Sequence, residues 1–122
     1  MTLSVSTQAG PVAAKLVLDT DADEQAKNNV TNTTGDIYLI DVDNTSNGAQ
    51  AVYLKLYDAL VCSPGTTEPD MIIPITAGNR EVLSFVEGKA FSTGISYCCV
   101  TAGGTSGTTG PTNAVTVRIV TS

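Results

Sequence analysis

Apolar and polar residues alternate with a period of two along about eight short runs of this chain, and turn-forming residues separate the runs. Successive side chains of a β-strand point to opposite faces, so each such run has one face to bury and one to show to solvent. The runs are 2–7, 12–19, 36–43, 51–58, 71–76, 80–86, 95–101 and 114–121. In 51–58, Val52, Leu54 and Leu56 share one face, and Tyr53, Lys55 and Tyr57 share the other. In 12–19, Ala14, Leu16 and Leu18 lie opposite Lys15 and Asp19. Pro74 interrupts 71–76 and cannot donate to a strand ladder, which predicts an edge strand or a bulge there.

Turn chemistry sits between the runs: Gly10-Pro11, the polar stretch 21–34, Asn47-Gly48, Pro64-Gly65, Gly78-Asn79, Glu87-Gly88 and the stretch 103–112. Each supplies Gly, Asn or Pro where the chain must reverse. Short strands at this spacing predict an all-β fold, an antiparallel β-sandwich of jelly-roll-like form with about eight strands. The 122 residues make one domain, 1–122. Within it, residues 1–10, set off by Gly10-Pro11, are a candidate strand-exchange arm, with Leu3 and Val5 as its contacts. Residues 21–30 (DADEQAKNNV) carry an Asp cap and early acids, but they are polar nearly all round, so loop and single helical turn both stay open. The stretch 103–112 (GGTSGTTGPT) has little apolar content to pack, and reads as a mobile hairpin loop or as a tip that orders on a partner.

Charge narrows the partners. Only 15% of residues are charged, against about 25% in an average soluble domain. The net charge is −6, and Lys15, Lys27, Lys55, Arg80, Lys89 and Arg118 are scattered. Such a surface repels phosphate, which argues against nucleic acid, while a basic protein patch fits it. The first 24 residues show neither a basic start nor a long apolar run, so neither a signal peptide nor a membrane span is expected. Three cysteines, an odd number, fit synthesis in a reducing cytoplasm better than a disulfide framework.

Candidate chemistry is sparse. Asp19, Asp21 and Asp23 open like a calcium loop, but that motif needs Gly at its sixth place and Glu at its twelfth, where this chain has Glu24 and Val30. Asp41, Asp43 and Asn44 make a weaker set of the same kind. Cys98-Cys99 and Cys62 lack zinc-ligand spacing, and the chain has no His. Adjacent strand residues face opposite ways, so one of Cys98 and Cys99 is a candidate for exposure and oxidation. Serines have no His to activate them, and no spacing singles out a carboxylate pair. The expectation is a non-enzymatic chain with no cofactor and no metal. The three Asn-X-Ser/Thr triplets at Asn29, Asn32 and Asn44 are chance products of an Asn/Thr-rich surface. The stripe Tyr53, Lys55, Tyr57 is either an exposed docking contact, since Tyr is enriched at interfaces, or ordinary packing under a covered face. Phe91 is a further interface candidate, and equally a core plug for its turn.

One segment adds a resemblance. From Tyr53 to Thr101 the chain reads Lys55-Leu56-Tyr57, then Gly65-Thr66, Pro69, Ile73-Pro74-Ile75, Ala77-Gly78, Phe85, Gly88 and Phe91-Ser92-Thr93-Gly94-Ile95-Ser96. This progression, over roughly half the chain, resembles a group of small virion structural proteins of tailed bacteriophages. The resemblance implies a scaffold and no chemistry: a capsid decoration or cement protein bound between major capsid subunits, made in the host cytoplasm and carried on the virion. It also implies a homo-oligomer, a trimer at points where capsid subunits meet. Two alternatives stand beside it: a tail, baseplate or head-fibre component, and a carbohydrate-binding adhesin module. The second is short of stacking rings, with four Tyr, two Phe and no Trp.

Overall fold

The computed structural model describes residues 3–7 and 15–122. Within them the chain forms eight strands: β1 (Leu3–Thr7), β2 (Lys15–Ala22), β3 (Gly35–Asp43), β4 (Val52–Asp58), β5 (Met71–Ile75), β6 (Arg80–Phe91), β7 (Ile95–Val100) and β8 (Val115–Thr121). They pair antiparallel in two sheets, a five-stranded one ordered β1-β2-β8-β3-β6 and a three-stranded one ordered β5-β4-β7. The fold is the all-β sandwich that the alternation predicts. The chain crosses between sheets after β3, β5, β6 and β7, which is jelly-roll connectivity.

Burial follows the alternation most cleanly in β8, where Val115, Val117, Ile119 and Thr121 are buried and the residues between are not. Facing them across the core are Val52, Leu54 and Leu56 of β4, Ile73 and Ile75 of β5, and Ile95, Tyr97 and Cys99 of β7. β3 contributes Ile37, Ile40 and Val42. A bulge at Tyr38 lets both Ile37 and Ile40 point inward, three residues apart.

Residues 21–30 form no helix. After β2 ends at Ala22, this run lies along the free edge of β7. The Cys99 amide donates to the Asp23 carbonyl (2.7 Å), Lys27 and Tyr97 exchange a pair of backbone bonds (2.8 and 3.0 Å), and the Val30 amide donates to the Ile95 carbonyl (2.9 Å). One edge of the small sheet is thus covered, as sandwiches require to avoid open ladders.

The other edges differ. β5 is an edge strand, with Pro74 opposite Tyr53. β6 is an edge strand of 12 residues, longer than the 80–86 run, because Glu87-Gly88 is no reversal. Ile37 pairs with Lys89 and Leu39 with Ser84, so residues 85–88 bulge out opposite Tyr38 alone. Gly88 holds φ at +82°, and a Cβ there would sit 2.9 Å from the Asp36 side chain and 3.1 Å from the Tyr38 ring. β1 lies on the far edge, hydrogen-bonded to β2 of its own chain. Leu3 packs against the core and Val5 is 42% exposed. The remainder of the proposed arm, residues 1–2 and 8–10, falls outside the described residues.

The inward face of β2 reverses the expected preference. Val17 and Asp19 are fully buried, while Leu16 and Leu18 are half-buried on the outer side. A carboxylate occupies a core position because partners from the opposite sheet meet it there.

Candidate functional site

Asp19 is the centre of the one buried charged cluster among the described residues. Its Oδ2 accepts from Lys27 Nζ at 2.8 Å and from the Tyr97 hydroxyl at 2.8 Å. Its Oδ1 accepts from the Asp21 amide at 2.9 Å, and Lys27 Nζ also donates to the Asp21 carbonyl at 3.1 Å. Asp19 and Tyr97 are fully buried and Lys27 is 7% exposed. A buried charge needs such partners, since leaving it unpaired costs several kcal/mol. Burial, with the adjacent Asp19 charge, pushes the Tyr97 phenol far above its ordinary pKa, so it stays protonated. The β2 register slips between Asp19 and Ala22. Sequence inspection marked Asp19 and missed both partners, because they come from residues 8 and 78 positions away.

The expected acidic set does not assemble as a metal site. Asp19 is occupied as described, Asp23 Oδ1 accepts from the Gln25 amide, and no group of three His, Cys, Asp or Glu side chains is placed to hold an ion among the described residues. Asp41 is claimed by Arg80, through Nε at 2.8 Å and through a second, shorter guanidinium contact, with Arg118 3.9 Å away. Asp43 accepts from the Thr45 hydroxyl (2.6 Å) and amide (3.0 Å), which hold its carboxyl below the usual pKa. Asn44 is buried too: its amide donates to the Gln50 carbonyl (2.8 Å) and its oxygen accepts from Asn47 (2.9 Å). Glycosylation at Asn44 would have to break that network.

The Tyr53–Lys55–Tyr57 stripe is a covered face, not an exposed one. Tyr57 and Lys55 are fully buried and Tyr53 is half-buried. Tyr57 packs with Cys62, Cys98 and Val100 in a second, smaller core on the outer side of the small sheet. The stretch 103–112 lies over the rest. Gly107 presents its carbonyl to Lys55 Nζ at 3.0 Å, Gly103 lies against the Tyr53 ring, and the Thr101 amide bonds the Thr109 carbonyl at 2.8 Å. A glycine-rich loop packs here through its backbone, so its lack of apolar side chains is no bar. Phe91 is a core residue at the end of β6, 1% exposed. Of the six proposed contact residues, Leu3, Val5 and Tyr53 keep accessible surface, and Lys55, Tyr57 and Phe91 do not.

Neither Cys98 nor Cys99 is exposed. Cys99 lies in the main core and Cys98 in the outer one, because both faces of β7 are covered. Burial pushes the Cys62 thiol up to about 11 and the Cys99 thiol up to about 12, and raises Cys98 as well.

The turn Ser92-Thr93-Gly94 is built by Asp58. Its carboxylate accepts from the amides of Thr93 (2.7 Å), Ser92 (3.1 Å) and Gly94 (3.3 Å), and from the Ser92 hydroxyl (3.2 Å). Burial alone would raise the Asp58 pKa, but these donors hold it below the ordinary value.

Part of the exposed apolar surface lies at the β5/β6 side of the sandwich. A groove of about 480 Å³ opens there between Met71 and Ile73 on one wall and Glu81, Leu83 and Phe85 on the other. Ile72, which lines the groove, is 38% exposed; Val82, on the opposite face of β6 from Glu81 and Leu83, is 53% exposed, and Val86, on the β6 bulge, 94%. Leu60 and Val61 form a smaller exposed pair elsewhere. No sequence pattern marked Val86, since the bulge that lifts it is a tertiary feature.

No protein-family model, curated protein or solved structure matches this chain.

Proposed function

We propose that this chain is a non-enzymatic structural protein of a bacteriophage virion, a decoration or cement protein that stabilises the head by binding between major capsid subunits. The observation that carries the reading is the division of labour in the fold. Polar groups that resemble chemistry are committed to holding the sandwich together: Asp19 to Lys27 and Tyr97, Asp58 to its turn, Asp41 to Arg80. Apolar groups are instead displayed at the surface, around the β5/β6 groove, at Val82 and Val86 of β6, and at Leu60 and Val61. Displayed apolar patches are what protein docking uses. The net charge of −6 makes a basic partner surface the complementary one.

The segment that carries the resemblance supports the same reading through its structural roles. Phe91 plugs the core, Ser92-Thr93-Gly94 forms the turn clamped by Asp58, Pro74 sits on an edge strand, and Lys55 anchors a loop. These are the roles of scaffold residues, in keeping with that reading. The carbohydrate-binding alternative has less support, because Tyr57, Phe91 and Tyr97 are buried and only Tyr38, Tyr53 and Phe85 keep part of a ring accessible for stacking.

Purified protein added to phage particles lacking it should bind saturably and co-sediment with them. Binding that never saturates, or is equal on unrelated particles, would refute the reading.

A further inference from the structure

We propose that Lys27 and Asp19 are the two halves of an intramolecular amide bond, formed without a cofactor in the folded chain. The proposal stands on the geometry of the cluster and does not depend on the virion reading.

Four features converge on one carboxyl group. Lys27 Nζ is 2.8 Å from Asp19 Oδ2, which puts the amine against the carboxyl group it would attack. The Asp21 carbonyl, 3.1 Å from Nζ, fixes the direction of the amine. The Asp21 amide, 2.9 Å from Oδ1, sits where negative charge develops on attack. The Tyr97 hydroxyl, 2.8 Å from Oδ2, is a proton donor aimed at the oxygen that must leave. All of this lies between the sheets, with Asp19 and Tyr97 fully buried.

The step balances with these groups alone. One proton moves along the Lys27–Asp19 hydrogen bond and converts the ion pair into a neutral amine and a carboxylic acid. The amine lone pair attacks Asp19 Cγ, forming the N–C bond, and Oδ1 carries the charge against the Asp21 amide. The Cγ–Oδ2 bond then breaks. The surplus proton on nitrogen reaches Oδ2 through the Tyr97 hydroxyl, which passes one proton on as it receives another, and Oδ2 leaves as water. Two side chains become one amide and one water, with no change of oxidation state. The product ties β2 in the large sheet to the 21–30 run that is hydrogen-bonded along β7 in the small one.

Mass spectrometry of the purified full-length chain tests this. The expected intact mass is one water below the sequence mass. Trypsin should fail to cut after Lys27, leaving residues 16–55 as one peptide, and fragmentation should place the link between Asp19 and Lys27. Lys27→Arg should restore the sequence mass. Tyr97→Phe should slow the loss of water at least about tenfold after refolding, since a proton donor contributes roughly 10²–10⁴-fold to such steps. A wild-type chain at its full sequence mass, cut normally after Lys27, would overturn the proposal. So would a water loss that maps to any other residue. Equal rates in Tyr97→Phe and wild type would overturn the role given to Tyr97.

Discussion

Asp58→Asn should lower stability by about 2 kcal/mol at neutral pH. The carboxylate receives four donors, two on each oxygen: Thr93 and Gly94 amides on Oδ1, Ser92 amide and hydroxyl on Oδ2. Asparagine keeps one acceptor oxygen and turns an NH₂ toward the other pair of donors. Hydrogen bonds to a charged group contribute about 1.5–3 kcal/mol each, and water can reach this half-buried turn, so losing two comes to about 2 kcal/mol. For a chain of this length that is a fall in melting temperature of roughly 8 °C. The pH dependence has a definite sign. Asp58 has a depressed pKa in the folded state, so its contribution is present above the unfolded carboxylate value and disappears as pH falls through the folded one. Calorimetric melts of both proteins should therefore show a gap at pH 7 that narrows below about pH 4. A variant within 2 °C of wild type at pH 7 (about 0.5 kcal/mol), or a gap that persists unchanged into acid, would refute the reasoning.

Further outcomes follow from the same structure. Lys55 is fully buried and, among the described residues, its hydrogen-bond partner is the Gly107 carbonyl, so Lys55→Met should be as stable as wild type within about 1 kcal/mol or better. Lys55→Ala should lose about 2 kcal/mol to the cavity it leaves, with urea titration as the check. In the native protein at pH 8 all three thiols should resist alkylation, because burial raises them, and all three should react in urea. Prompt labelling of any native thiol would contradict that. Val86→Glu should leave the melting temperature within about 2 °C, as expected for a side chain 94% exposed, yet weaken particle binding about tenfold or more.

Much of the fold was legible because β-strand alternation is a local signal. Each of the eight runs became a strand, and Pro74 marked an edge as its missing amide requires. What was not legible was set by partners distant in sequence. Leu16 and Leu18 looked like the core face of β2, but Lys27 and Tyr97 make Asp19 the residue that can be buried. Glu87-Gly88 looked like a turn and is part of a bulge, because β3 continues to pair on both sides of it. The Tyr53–Lys55–Tyr57 stripe alternated as an outer face should, and nothing local disclosed that the 103–112 loop folds back over it. The groove combines β5 with β6, which share no hydrogen-bonded ladder, so no single run of sequence contains it.

The most direct test of the proposed function is to look for this chain, by quantitative mass spectrometry, in purified bacteriophage particles. A decoration or cement protein should be present at a copy number comparable with that of the major capsid subunit. Tens of copies or fewer would place it in the tail, baseplate or a head fibre, and its absence from particles would contradict a virion role altogether.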